Sequence, residues 1–123
     1  MKASQFIIAL MLLTSMLVAT AHATATDSTA LRLVAEGKAL FAQNEFKKAE
    51  QVFRKALKND PGLTAAMAGI GEVLMAKCDW GDANDWYEKI LQIEPQNLDA
   101  TYYRGVCYRE SGKFKILLLR KFD

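Results

Sequence analysis

Residues 60–71 read DPGLTAAMAGIG, and residues 94–105 read EPQNLDATYYRG. Each runs from an acid through a proline to a glycine eleven positions after the acid, and the two lie 34 positions apart. Sliding the whole chain along itself by that offset brings Gly37, Gly71 and Gly105 into register, together with Pro61 and Pro95. Leu40, Leu74 and Tyr108 align, as do the aromatics Phe46, Trp80 and Phe114; Ala49 matches Ala83, and Phe53 matches Tyr87. So many agreements at one offset mark a stacked repeat, in which one supersecondary unit recurs along the chain.

Within one period the pattern is helical. Over residues 31–42 apolar side chains recur at Leu33, Leu40 and Phe41. Over 45–58 they are Phe46, Ala49, Val52, Phe53, Ala56 and Leu57, the i, i+3, i+4, i+7 spacing of an amphipathic helix. Gln43-Asn44 reads as a short turn. Asn59-Asp60-Pro61-Gly62 ends the second helix, because proline disfavours helix in the residue before it. Each unit is therefore a helical hairpin, and with no strand pattern anywhere the fold class is all-α. Glycine inside a helix costs about 1 kcal/mol against alanine. Gly37, Gly71 and Gly105 are thus expected where a second helix crosses too closely for a side chain. Ala49 and Ala83 are expected to face that crossing, with Phe53 and Tyr87 filling the wider space one turn on. No hairpin can bury its apolar face alone, so neighbours must stack.

These residues resemble the tetratricopeptide repeat family. Residues 30–63 offer Leu33, Glu36-Gly37, Leu40, Ala49, Phe53, Ala56 and Pro61. Residues 64–97 offer Met67, Ile70-Gly71, Leu74, Ala83, Tyr87, Ile90 and Pro95. A third unit over 98–123 begins with Gly105, Tyr108 and SGKF at 111–114, giving about two and a half repeats. Glu36, Ile90 and Arg104 depart from the pattern. The resemblance implies a helical-hairpin solenoid, a fragment of a right-handed superhelix.

The chain opens MKASQFIIALMLLTSMLVATAHATATD. One basic residue, an apolar stretch from Phe6 to Ala19 and the small-x-small trio Ala21-His22-Ala23 have the build of a secretory signal peptide cleaved after Ala23. The stretch is shorter than the ~20 residues a spanning helix needs, and Thr14 and Ser15 interrupt it. Residues 1–23 are read as the signal and 24–29 as a linker. No stable membrane span is expected after cleavage, and the location is periplasmic or secreted, in the bacterial manner. Cleavage would also remove His22, the only histidine. A mature chain without histidine has no imidazole base, no Ser-His or Cys-His pair and no histidine metal ligand. No phosphate-cradling loop or nucleophile elbow occurs either. No catalytic residue, cofactor or metal site is expected. A net charge of +2, spread along the chain, gives no electrostatic case for nucleic acid. Cys78 and Cys107 are expected on adjacent helices, either as two inert thiols or as one bridge.

The third unit breaks its pattern. Leu117 stands where the first two units have alanine, and would push packed helices apart; Ile116 to Leu119 is too continuous an apolar run for one face of an exposed helix. Three explanations stand side by side: a last helix packing this run on the second unit, a hydrophobic surface for another chain, or a protein that continues past Asp123.

In the family the resemblance points to, the first helices of successive units line a concave groove. Its usual contact positions correspond here to Leu31, Val34, Lys38 and Phe41; to Ala65, Ala68, Glu72 and Met75; and to Asp99, Tyr102, Val106 and Arg109. Lys38, Phe41, Ala68, Glu72, Met75, Tyr102 and Arg109 are the candidate partner-binding residues. The Lys and Asn pair with which some members grip a terminal carboxylate falls here on Val34 and Lys38, so that clamp is not expected. Trp80 is expected to pack within the repeat, and Trp86 to be partly exposed or to touch the next unit. Asp82, Asp85 and Glu88 read as a solvated helix face. The expected function is a non-enzymatic scaffold of the cell envelope or secreted space that holds a protein or peptide. The alternative is an accessory module of a larger exported peptidase or hydrolase whose catalytic part lies beyond residue 123. Self-association through KILLLRKF is a further expectation.

Overall fold

The computed structural model describes residues 3–5, 7 and 28–122. The signal-peptide reading of residues 1–23 therefore lies largely outside the described residues; 3–5 and 7 are helical. Residues 28–42 form α1, so the expected linker already belongs to α1 at 28 and 29. There follow α2 (Phe46–Asn59), α3 (Thr64–Ala76), α4 (Trp80–Ile93) and α5 (Leu98–Phe122). Among the described residues there is no strand. Each helix packs on the next, α2 on α3, α3 on α4 and α4 on α5, giving the all-α stack of hairpins that the period requires.

The repeat in sequence is a repeat in packing. On α2 the buried residues are Ala49, Phe53 and Ala56; on α4 they are Ala83, Tyr87 and Ile90, the same three places one period later. The atoms nearest each crossing glycine belong to the aromatic ring, Phe53 or Tyr87, and not to Ala49 or Ala83 as expected. Phe53 and Tyr87, each 1% exposed, are the largest side chains of the core, and full burial of such a ring contributes about 1.5–3 kcal/mol. The glycines complete the fit. A Cβ at Gly37 would lie 2.6 Å from the Phe53 ring, and one at Gly71 would lie 2.7 Å from the Tyr87 ring. Gly69, not anticipated as a contact, makes a second notch: a Cβ there would meet Phe53 at 2.5 Å. Held between neighbours on several sides, α3 buries Ala66, Met67, Gly69, Ile70, Gly71, Val73 and Leu74. It has almost no polar stripe because it has almost no solvent side.

The turns inside the first two units are built alike. After α1, the Asn44 N–H donates to the Phe41 carbonyl at 2.9 Å and the Glu45 N–H to the Leu40 carbonyl at 3.0 Å. After α3, the Cys78 N–H donates to Met75 at 3.0 Å and the Asp79 N–H to Leu74 at 2.9 Å. These nested bonds satisfy the last helical carbonyls and need a left-handed residue at the hinge; Asn44 and Cys78 both take φ 62°. Cys78 is thus a turn residue and not, as expected, a helical one. It is exposed while Cys107 is buried, and both thiols are free.

The third unit parts from the other two. The residue one period after Asn44 and Cys78 is Gly112, which suits a left-handed hinge better than either. Yet α5 runs straight through it to Phe122. Consequently the expected close crossing at Gly105 is absent: a Cβ there would meet nothing within 4 Å. The physical reason lies further on. A folded-back helix would place Leu117 in the fully buried position of Ala49 and Ala83, and Lys121 in that of Phe53 and Tyr87. Burying an unpaired ammonium costs several kcal/mol, and the leucine does not fit the alanine space. Continuing as helix keeps the backbone bonds without either cost. Ile116, Leu118 and Leu119 are exposed, so those residues of the apolar run do not pack on the second unit.

Candidate functional site

Stacked hairpins leave a concavity along their first helices. Here α1, α3 and α5 enclose a cavity of about 290 Å³. Its lining includes Lys38 from α1, Ala68 and Glu72 from α3, and Asp99 and Tyr103 from α5. Tyr87 and Ile90 of α4 also line it.

One end of the cavity is fixed by hydrogen bonds. Glu94, just past α4, accepts from the Thr64 hydroxyl at 2.6 Å and from the Asn97 amide at 2.7 Å. These two bonds hold its carboxyl below the usual carboxylate range. Asn97 in turn caps α5, its Oδ1 accepting from the Ala100 N–H at 2.9 Å. Thr64 and Asn97 both line the cavity, so its rim is tied to the start of α3, the end of α4 and the start of α5.

The middle is less satisfied. Glu72 is half-buried, and desolvation pushes its carboxyl up while the Lys38 charge pulls it partly back. Among the described residues no ion pair closes between the two. Beside them the Tyr87 hydroxyl is buried and has no hydrogen-bond partner. Burial, reinforced by the charge of Glu72, raises that phenol further and keeps it a protonated donor. Its ring stacks on Tyr103, with centroids 5.3 Å apart and planes 22° apart. Tyr103 occupies the register position of Gly69; where α3 opens a notch for Phe53, α5 supplies a ring for Tyr87. The cavity thus offers one half-desolvated carboxylate, one nearby ammonium and an aromatic wall.

Of the seven residues expected to form the partner site, the structure brings Lys38, Ala68 and Glu72 together in this cavity. Phe41 instead packs on Phe46, ring centroids 5.4 Å apart, and Met75 packs against the core. Tyr102 is 65% exposed and stands edge-on to Tyr103 at 5.3 Å. Arg109 does not share the cavity with Lys38 and Glu72; its Nε donates to Glu110 Oε1 at 3.1 Å. Val34, one of the family contact positions, is buried in the core. Tyr103 and Asn97 were not singled out as site residues. Asn97 before a helical run was the available signal, being a good cap three residues ahead of Ala100. Trp86 is partly exposed, as expected, and has Arg54 of α2 5.5 Å and Lys89 4.1 Å from its ring centre. Among the described residues no cluster of His, Cys, Asp or Glu is placed to hold a metal ion, and no helix is long and apolar enough to cross a membrane.

The family model of the tetratricopeptide repeat matches residues 34–97, just over half of the chain. The chain belongs to the tetratricopeptide repeat family. The comparison with curated proteins finds no match. The tetratricopeptide match spans most of α1 and all of α2, α3 and α4. Its interval contains Lys38, Ala68 and Glu72, whereas Asp99 and Tyr103 come from α5, outside it. Tetratricopeptide repeats are in general non-catalytic modules of protein–protein interaction.

Proposed function

We propose that this chain is an exported, non-enzymatic scaffold that holds a peptide segment of a partner protein in the groove between α1, α3 and α5. The observation that carries the reading is the half-buried Glu72 carboxylate, without an ion pair, beside the partnerless Tyr87 hydroxyl. Polar groups left unsatisfied in a preformed concavity favour a ligand that satisfies them. Lys38 and Glu72 side by side suit a peptide carrying a dipole of its own, and the Tyr87–Tyr103 stack gives its apolar part a rigid wall. Export is supported by the Lys2, Phe6–Ala19 and Ala21-His22-Ala23 pattern. N-terminal sequencing of the chain recovered from a bacterial envelope fraction tests that part; the expected first residue is Thr24.

A peptide array screened with the full chain tests the groove, followed by anisotropy titrations of the best binders. Glu72→Gln and Lys38→Ala are each expected to weaken binding about tenfold, the loss of roughly one charge-assisted contact. Binding that persists unchanged through both substitutions refutes the groove as the site.

A further inference from the structure

The outward face of α5 lacks the cover that its counterparts have. In the first unit α2 lies over Gly37, and in the second α4 lies over Gly71, each with an aromatic ring seated on the glycine. On α5 the equivalent Gly105 is bare. It opens a row at intervals of three and four, Gly105, Tyr108, Gly112, Ile116 and Leu119, which a helix of 3.6 residues per turn places on one face. Tyr108 is 61%, Ile116 59% and Leu119 61% exposed. Tyr108 occupies the register of Leu74, which is 5% exposed; the side chain that α4 covers in the second unit lies open in the third. Bare glycines between large apolar residues make a surface of notches and knobs shaped for another helix.

Charge selects the occupant. Helical spacing sets Arg104 and Lys115 along one edge of this row and Arg109, Lys113 and Arg120 along the other. The only acids on α5 are Asp99 and Glu110, and Glu110 is already engaged by Arg109 and Lys113. A second copy would set basic edge against basic edge. We infer that this face of α5 docks an amphipathic helix of a partner protein whose apolar stripe is edged with Asp and Glu, laid across Gly105 as α4 lies across Gly71. This surface is separate from the groove and does not depend on the groove's reading.

The chain supplies its own probe. A synthetic peptide of residues 79–94 carries the apolar set Ala83, Tyr87 and Ile90, with Asp82 and Glu88 towards its two flanks and Asp85 on the opposite face. Titrated into the full chain with anisotropy detection, it is expected to bind saturably and to weaken with added salt. A version with Asp82, Asp85 and Glu88 replaced by lysine should bind at least about tenfold more weakly. Gly105→Leu, which fills the bare notch, and Leu119→Ser, which removes an exposed knob, should each weaken binding about as much. Both positions are exposed, and unchanged helicity shows that the variants fold. No saturable binding of the acidic peptide overturns the inference, as does equal binding of the lysine version. So does a dimer by light scattering that Leu119→Ser dissolves, which would make the occupant a second copy. Tighter binding to phosphatidylserine vesicles than to the peptide, abolished by the same substitution, would make it a membrane.

Discussion

Gly69 and Gly105 are both helical glycines, and alanine should act on them with opposite sign. At Gly69 the added Cβ lies 2.5 Å from Cε1 and Cζ of Phe53, where ordinary carbon contacts are about 3.5–4.0 Å. One of the two must move by about 1 Å. The ring has little freedom to do so, because its same edge also fills the notch at Gly37, and at 1% exposure it has no solvent side to yield into. Overpacking of this kind costs about 1–3 kcal/mol, and the constraint on Phe53 argues for the upper half. Alanine's better helix propensity offsets about 1 kcal/mol. Gly69→Ala is therefore expected to destabilise by about 1–2 kcal/mol. At Gly105 the new methyl meets nothing within 4 Å and φ is not left-handed, so only the propensity term remains and Gly105→Ala should stabilise by about 0.5–1 kcal/mol. Urea unfolding of the full chain followed by helical ellipticity measures both, with the slope checked for constancy. Should Gly105→Ala destabilise as much as Gly69→Ala, or Gly69→Ala stabilise, the notch account of this fold is wrong.

Cys78 holds φ 62° at an exposed hinge, a conformation costing a side-chain-bearing residue about 1–2 kcal/mol. Cys78→Gly should raise stability by about 0.5–1 kcal/mol once glycine's extra unfolded freedom is allowed for, and a fall in the urea midpoint would contradict the turn geometry. Thiol labelling under native conditions should modify Cys78 rapidly. Cys107, buried and with its thiol pushed up by that burial, should react only as the chain unfolds; two fast thiols would show α5 lying elsewhere. Burial holds the Glu72 carboxyl above its ordinary range, so the folded chain keeps a proton that the unfolded chain has released. Stability then falls as pH rises from the ordinary glutamate value through the raised one. The Glu72→Gln variant should escape that fall, its melting temperature gaining on the wild type between pH 4 and 7. Glu94 and Glu110, held below the usual range, act in the opposite sense at lower pH and are common to both proteins. Parallel curves would count against a desolvated Glu72.

What the sequence disclosed was steric and local. A glycine in mid-helix marks a close approach whose meaning does not depend on the rest of the chain. The close crossings at Gly37 and Gly71 were therefore legible from spacing, but not that the rings of Phe53 and Tyr87 would sit on those glycines where Ala49 and Ala83 were expected. The third hairpin was not, because a hairpin depends on both its helices. Gly112 is a better hinge than Asn44 or Cys78, yet it does not turn, since Leu117 and Lys121 cannot occupy the places a turn would bring them to. The leucine was readable as an obstacle; that the helix would answer by running straight was not. The site divides in the same way. Register says which side of a helix a residue takes but not whether a neighbour covers it. So Lys38, Ala68 and Glu72 reach the cavity, while Phe41 meets Phe46 and Val34 enters the core. Cys78 was hidden for another reason: cysteine carries no signature of a left-handed hinge.

The straight course of α5 leaves this helix with two open surfaces at once. Its first turns complete the groove, with Asp99 and Tyr103 facing Lys38 and Glu72 across the cavity. Its outward face, bare at Gly105, continues past the end of the packed hairpins. Of the other helices it packs chiefly on α4, through a short buried set of Ala100 and Cys107 with the half-buried Tyr103. By comparison α3 is enclosed along most of its length. A helix held along one side is the element whose position a ligand most easily improves, because each added contact is large against those already present. A peptide bridging Glu72 on α3 to Asp99 on α5 would fasten α5 from inside the groove. A helix laid over Gly105 would fasten it from outside. Each would stabilise the packed placement of α5 by mass action, in proportion to its own affinity.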